Sequence, residues 1–194
     1  MKPHAAPSLG AQAQGRVRRA PMTLVLLTAL AIPPAKAAEP LGFKGQGIGS
    51  SNLAIAQDPR FECRELRTPT ADQVCSLRPR EQETIAGVRL ISLYYFYDRA
   101  RLSGITLSLP ANQFEGVAQA LEGKYGPPRT RMEQVRNHKG DTFENRILTW
   151  RQGDALLEAQ RFAGRLDRSL IRLSDLAAAE RIRQRRARIP DRDL

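Results

Sequence analysis

Cys63 and Cys75 are the two cysteines of the chain, and His4 and His138 are its two histidines. His4 falls in the N-terminal segment and His138 lies far along the chain, so Cys63 and Cys75 have no nearby His to complete a zinc shell. The spacing of the cysteines is also not the Cys-x-x-Cys of a redox-active pair. The segment between them, from Arg64 to Val74, reads as strand, loop, strand. A Cys63–Cys75 disulfide would close a ring of about 13 residues and stabilise the fold by roughly 3 kcal/mol through the unfolded chain. Two free buried thiols are the alternative reading.

His138 stands in Asn137-His-Lys-Gly140, a turn sequence. Nucleophilic catalysis would need this imidazole buried between a nucleophile and an acid, and nothing around it asks for burial. Two carboxylates alone can run acid–base chemistry. Asp98, Asp141 and Asp154, however, fall in hairpin turns, where Asp bonds the local backbone. Glu144 and Glu158 are the carboxylates near core-facing positions. The glycines 42, 45, 47 and 49 lack the Lys-Ser/Thr of a phosphate loop and the strand-turn-helix setting of a dinucleotide fingerprint. The expectation is a protein that is not an enzyme, with no catalytic residue, no metal ligand and no cofactor. Two groups remain as a candidate binding surface: Tyr94, Tyr95 and Tyr97 in one strand, and Arg183, Arg185 and Arg186 near the C-terminus.

The elements that would position these residues follow from hydrophobic period. A short strand near Phe43 is expected, then a helix capped by Ser50 or Ser51 and ended by Pro59. Strands at 61–66 and 73–77 carry the cysteines. Thr84-Ile-Ala, a turn at Gly87 and Val88 to Tyr97 form a hairpin; Asp98 to Arg101 turns the chain into Leu102–Leu109. There Ile105, Leu107 and Leu109 alternate with Thr106 and Ser108, one dry face and one wet. The nearly continuous apolar run from Leu90 to Tyr97 predicts a central strand.

Phe114, Val117, Ala118, Leu121 and Tyr125 repeat at helical spacing. Asn112 with Glu115 has the capping-box spacing, and Gly126 followed by Pro127-Pro128 ends the helix. Strands follow at 131–137, 142–150, 155–162 and 169–173. A bulge near Asn145–Leu148 would explain the adjacent Ile147 and Leu148. Ser174 is the expected cap of a last helix. Hairpins on short turns predict a two-layer α+β sandwich, mainly antiparallel, with helices packed on one face.

The ends are set apart by charge. Residues 1–37 hold five basic residues and no acid, with Arg16, Arg18 and Arg19 ahead of an apolar run from Met22 to Ile32 and a small-x-small site at Ala35-Lys-Ala37. This is the pattern of a signal peptide, and a run of this length is too short for a membrane-spanning helix. Its removal lowers the formal net charge from +11 to +6. Six arginines lie in 181–194, leaving the body near neutrality, so a surface built for specific nucleic-acid binding is not expected. The domain reading is a signal peptide at 1–37, one domain at 38–180 and a basic tail at 181–194. The location is periplasmic or secreted, without a transmembrane anchor, as a monomer or weak dimer.

Phe43-Lys-Gly, Gly47-Ile-Gly-Ser-Ser, Phe61-Glu-Cys63, Val74-Cys75, Leu121-x-x-Lys-Tyr-Gly-Pro127 and Phe143-Glu-Asn with Trp150-Arg-x-Gly-Asp154 resemble segments of small exported proteins of Gram-negative bacteria. Gly49-Ser-Ser and Tyr125-Gly-Pro-Pro128 are more weakly similar to the small outer-membrane assembly lipoproteins, whose lipobox Cys this chain lacks. These resemblances imply export and a single domain, and they bring no catalytic residues. The function expected is a periplasmic binding or accessory module for an envelope protein or an anionic envelope component. The alternative is an inhibitor of an exported hydrolase, acting through a rigid loop such as 64–74 or 98–101.

Overall fold

Residues 39–68 and 71–187 are described by a computed structural model. The expected signal peptide and residues 188–194 lie outside the described residues. A hairpin of β1 (Gly42–Phe43) and β2 (Gln46–Gly47) leads into α1 (Leu53–Ala56). Next come β3 (Phe61–Thr68) and β4 (Ala71–Leu77), a small hairpin of β5 (Thr84–Ile85) and β6 (Val88–Arg89), and then β7 (Ser92–Asp98) and β8 (Arg101–Pro110). A single 3-10 turn, Ala111–Gln113, opens α2 (Phe114–Tyr125). The second half is β9 (Arg129–Arg136), β10 (Thr142–Gln152), β11 (Ala155–Gln160), β12 (Arg168–Asp175) and α3 (Leu176–Ala187).

Eight strands form one antiparallel sheet in the order β3-β4-β7-β8-β12-β11-β10-β9. The order contains a repeat. A four-strand meander (β3, β4, β7, β8) ends in the 12-residue helix α2, and a second (β9, β10, β11, β12) ends in the 12-residue helix α3. The fourth strands of the two meanders lie side by side at the centre, from Arg168 opposite Pro110 to Ser174 opposite Gly104. The expected α+β sandwich on an antiparallel sheet is the fold observed.

Alternation decides which residues are dry. Leu93, Tyr95 and Tyr97 of β7 face the same side as Ile105 and Leu107 of β8, Ile171 and Leu173 of β12, Leu157 and Ala159 of β11, and Leu148 and Trp150 of β10. All of them are buried in one cluster with Phe114, Val117, Leu121 and Tyr125 of α2. Burial of each large α2 side chain is worth roughly 2 kcal/mol, which outweighs the weak helix propensity of Gly116 and Gly123. Arg146 on β10 pins α2 from the sheet side, with its guanidinium 2.7 Å from Glu115 and 3.0 Å from Glu122. The Trp150 indole donates to the carbonyl of Gly126, where φ is +84° and the helix stops.

Several local expectations are corrected. Asn112 and Glu115 do not form a capping box, because the 3-10 turn places Gln113 at the N-cap with no side-chain hydrogen bond, and Glu115 turns instead to Arg146. Asp175, not Ser174, caps α3, its carboxylate accepting from the Ala178 N–H at 2.9 Å. Irregularity falls elsewhere: Ser103 of β8 is the extra residue opposite the Phe96–Tyr97 step of β7, and β3 shifts register between Glu65 and Thr68, while the register of β10 is unbroken against both neighbours. Ile147 and Leu148 are adjacent because each is buried on its own face of β10. The Val88–Tyr97 arm is divided: β6 pairs only with β5, and Leu90 and Ile91 carry the chain into the main sheet at Ser92. Helix α3 also extends through the first part of the expected tail, to Ala187.

Candidate functional site

The expected tyrosine surface does not form. Tyr95 and Tyr97 are 1% and 0% exposed, because odd positions of β7 face the buried cluster, where Tyr95 meets Phe61 edge to face, whereas Tyr94 is 37% exposed on the opposite side beside Phe96. Burial raises the phenol of Tyr97 from the usual 10 to about 12 and raises that of Tyr95 further, with the neighbouring Tyr97 adding to the effect. The Tyr97 hydroxyl has no hydrogen-bond partner among the described residues. Both rings are core.

Of the C-terminal arginines, Arg183 is exposed on α3 and pairs with Glu180 one turn back. Arg185 and Arg186 belong to the same helix, and their side chains lie outside the described residues. Arg181 is held by the body of the fold, 3.7 Å from Asp175 and 3.9 Å from the buried Asp98. The paired cysteines do form the expected bond: Cys63 and Cys75 are directly opposed across β3 and β4 and joined as a disulfide. His138 is exposed in the β9–β10 turn. That turn is built by Asn137, whose carboxamide oxygen accepts from the N–H groups of Lys139 and Asp141. Glu144 is exposed and Glu158 half-buried. Among the described residues no group of three or more His, Cys, Asp or Glu is placed to hold a metal ion, and no helix is long and apolar enough to cross a membrane.

A groove that the sequence reading did not anticipate lies where the β9–β10 turn meets the 161–167 loop. It is open to solvent and has a volume of about 790 Å3. Val135, Phe162 and Leu166 give it an apolar lining, and Arg136, His138 and Arg165 bring basic groups to it. Asp167 is the one acid on the lining and is held by Arg165 through two contacts of 2.9 Å, which keep its carboxyl below the usual range. The groove therefore offers an apolar surface with the Arg136 guanidinium beside it, and its single carboxylate is paired with Arg165, a pair without net charge.

Two fully buried polar side chains make the groove wall rigid. The Asn145 carboxamide accepts from the Phe162 N–H at 2.8 Å and donates to the Phe162 carbonyl at 3.1 Å. The Ser169 hydroxyl donates to the Arg161 carbonyl at 2.7 Å. The Phe162 ring meets the edge of Phe143 and carries the Arg161 guanidinium 5.0 Å from its centre. A buried amide that satisfies both polar groups of one loop residue fixes that loop against the sheet. The sequence did contain a signal: Arg161, Arg165, Arg168 and Arg172 fall within twelve residues that hold a single acid, Asp167.

The 98–101 turn has a different character. Arg99 and Ala100 occupy the left-handed region, at φ +53° and +57°. The turns at Lys44-Gly45 and Ala86-Gly87 have the same signs of φ but place glycine second. The turn is clamped from outside: the Arg99 N–H donates to Asp72 at 2.6 Å, the Asn52 N–H to the Ala100 carbonyl at 3.2 Å, and the Arg101 guanidinium to the Gly49 carbonyl.

Comparison with known proteins finds no matching family model, no matching curated protein and no matching solved structure.

Proposed function

We propose that the chain is an exported, non-enzymatic binding module that recognises an anionic partner, an acidic protein segment or an acidic envelope component, at the groove between the β9–β10 turn and the 161–167 loop. The observation that carries this reading is the arrangement of Arg136 and His138, with the Arg165–Asp167 pair, around Val135, Phe162 and Leu166, so that the lining carries no unpaired acid. Guanidinium forks match carboxylates and phosphates, and an apolar lining supplies affinity that charge alone does not. Export is supported by the basic-apolar-small pattern of residues 1–37 and by the disulfide, which persists in oxidising compartments.

The test is binding of the purified protein to acidic and neutral versions of one apolar-containing peptide, and to vesicles with and without anionic lipid. Acid-selective binding that falls at least tenfold in Arg136→Glu and Arg165→Glu supports the reading. Equal binding of acidic and neutral probes overturns it.

The second reading, an inhibitor of an exported hydrolase, is favoured by the clamped Arg99-Ala100 turn, because strain held in place from outside recurs at binding loops. A one-to-one complex with a secreted hydrolase, lost in Arg99→Asp and kept in Arg165→Glu, would select it over the groove.

A further inference from the structure

The two edges of the sheet are unlike. β3 has a register shift between Glu65 and Thr68, is bonded to β4 through Cys63–Cys75, and has α1 packed beside it. β9 is regular from Arg129 to Arg136, each residue opposed by one of β10, and among the described residues no strand pairs with its outer side. A long, unbulged edge is a template for another strand. Met132, 52% exposed at its middle, is one of the few large apolar side chains left on the surface.

We infer that β9 is a self-association edge, pairing antiparallel with β9 of a second copy about a two-fold axis at Met132. Charge selects both the partner and the register. With Met132 opposite Met132, Arg131 stands opposite Glu133, Thr130 opposite Gln134 and Arg129 opposite Val135. No like charges face each other. Keeping each strand's faces continuous with its partner's allows only register slips of two residues, each of which moves the axis by one residue. Moving the axis to residue 131 sets Arg131 on Arg131, and moving it to 133 sets Glu133 on Glu133; directly opposed like charges destabilise a pair. Within one copy Arg131 already bonds Glu133 on the same face, so pairing exchanges or shares an existing ion pair and buries no lone charge. Pro128, which has no N–H, falls opposite Arg136 at the end of the ladder, where a lost hydrogen bond matters least. In this register Arg129 of the second copy lies opposite Val135, on the sheet face of Phe143, and adds a basic group near the groove.

Sedimentation velocity on the purified protein is expected to show a dimer that dissociates on dilution. Glu133→Arg and Arg131→Glu each set like charges opposite one another and are expected to give monomer, with unchanged circular dichroism because both side chains are on the surface. The combined R131E/E133R exchange restores opposite charges and the dimer. Met132→Cys, at the axis, is expected to cross-link between copies under mild oxidation faster than the helix-surface control Gln119→Cys. Arg165→Glu, which tests the groove, leaves the mass unchanged, so the two proposals fail separately. A protein that stays monomeric at its highest soluble concentration overturns the inference. So does a dimer indifferent to both charge reversals, or a Met132→Cys that cross-links no faster than the control.

Discussion

Replacing Ala100 by glycine should make the protein more stable, although it shortens a side chain and loosens the unfolded chain. Ala100 sits at φ +57° with Arg99 before it at +53°. An L-residue in that region loses about 1–2 kcal/mol to the clash between Cβ and backbone, and glycine does not. Against this, glycine adds unfolded-state entropy worth roughly 0.4–1 kcal/mol. The Asn52 bond to the carbonyl of residue 100 is a backbone contact and survives the change. The net expectation is a gain of about 0.5–1 kcal/mol, read as a higher denaturant midpoint with an unchanged m-value. The reverse change, Gly45→Ala, meets no atom within 4 Å but carries φ +77°, so its loss of about 1 kcal/mol is purely conformational. Unfolding curves in urea for both variants against the parent decide the matter. An Ala100→Gly protein no more stable than the parent, or a neutral Gly45→Ala, would refute the reasoning that these two-residue turns hold strain where glycine is missing.

Tyr97→Phe removes a buried hydroxyl that has no partner among the described residues, and a gain of about 1 kcal/mol is expected in the same assay. The parent should also lose stability as pH rises. The phenol is raised to about 12 in the fold, so its contribution is complete below pH 10 and disappears between pH 10 and about 12, as the unfolded chain ionises first. Tyr97→Phe should flatten part of that decline, and an identical alkaline profile would contradict it. Asn145→Ala strips both hydrogen bonds from the half-buried Phe162, at a loss of about 2 kcal/mol, checked by thermal and urea unfolding. Reducing Cys63–Cys75 should lower stability by roughly 3 kcal/mol, read as the difference between midpoints with and without dithiothreitol.

What could be read ahead of the structure was whatever repeats locally. Ile105, Leu107 and Leu109 announced β8 by period two, and Phe114 to Tyr125 announced α2 by its apolar stripe. Burial on both faces defeated the same logic: Ile147 and Leu148 look like a broken alternation until each is seen packed on its own side. The tyrosine run was ambiguous for a related reason, since alternation sends Tyr95 and Tyr97 inward and leaves only Tyr94 of the three on the surface. Capping failed because Asn112 and Ser174 have the right chemistry but sit one residue too early, so a 3-10 turn and Asp175 intervene. The groove was out of reach because it joins residues 135–138 to 162–167, and nothing local says that Asn145 ties the second stretch to the sheet.

Within the sheet the two halves share the ladder of β8 with β12, and the chain passes between them through α2 and the Gly126-Pro-Pro128 exit. Each half has its own meander and closing helix, while the contacts between them are distant along the chain. The helices nevertheless cross the seam: α2 of the first half is held by Arg146 and Trp150 of the second, and Arg181 of α3 reaches back to Asp98 of the first, so neither half is closed by its own helix alone. A cut just after α2 would part Glu115 and Glu122 from the strand that carries Arg146, so each fragment would lack the partner that holds its helix or strand in place until the two reassociated.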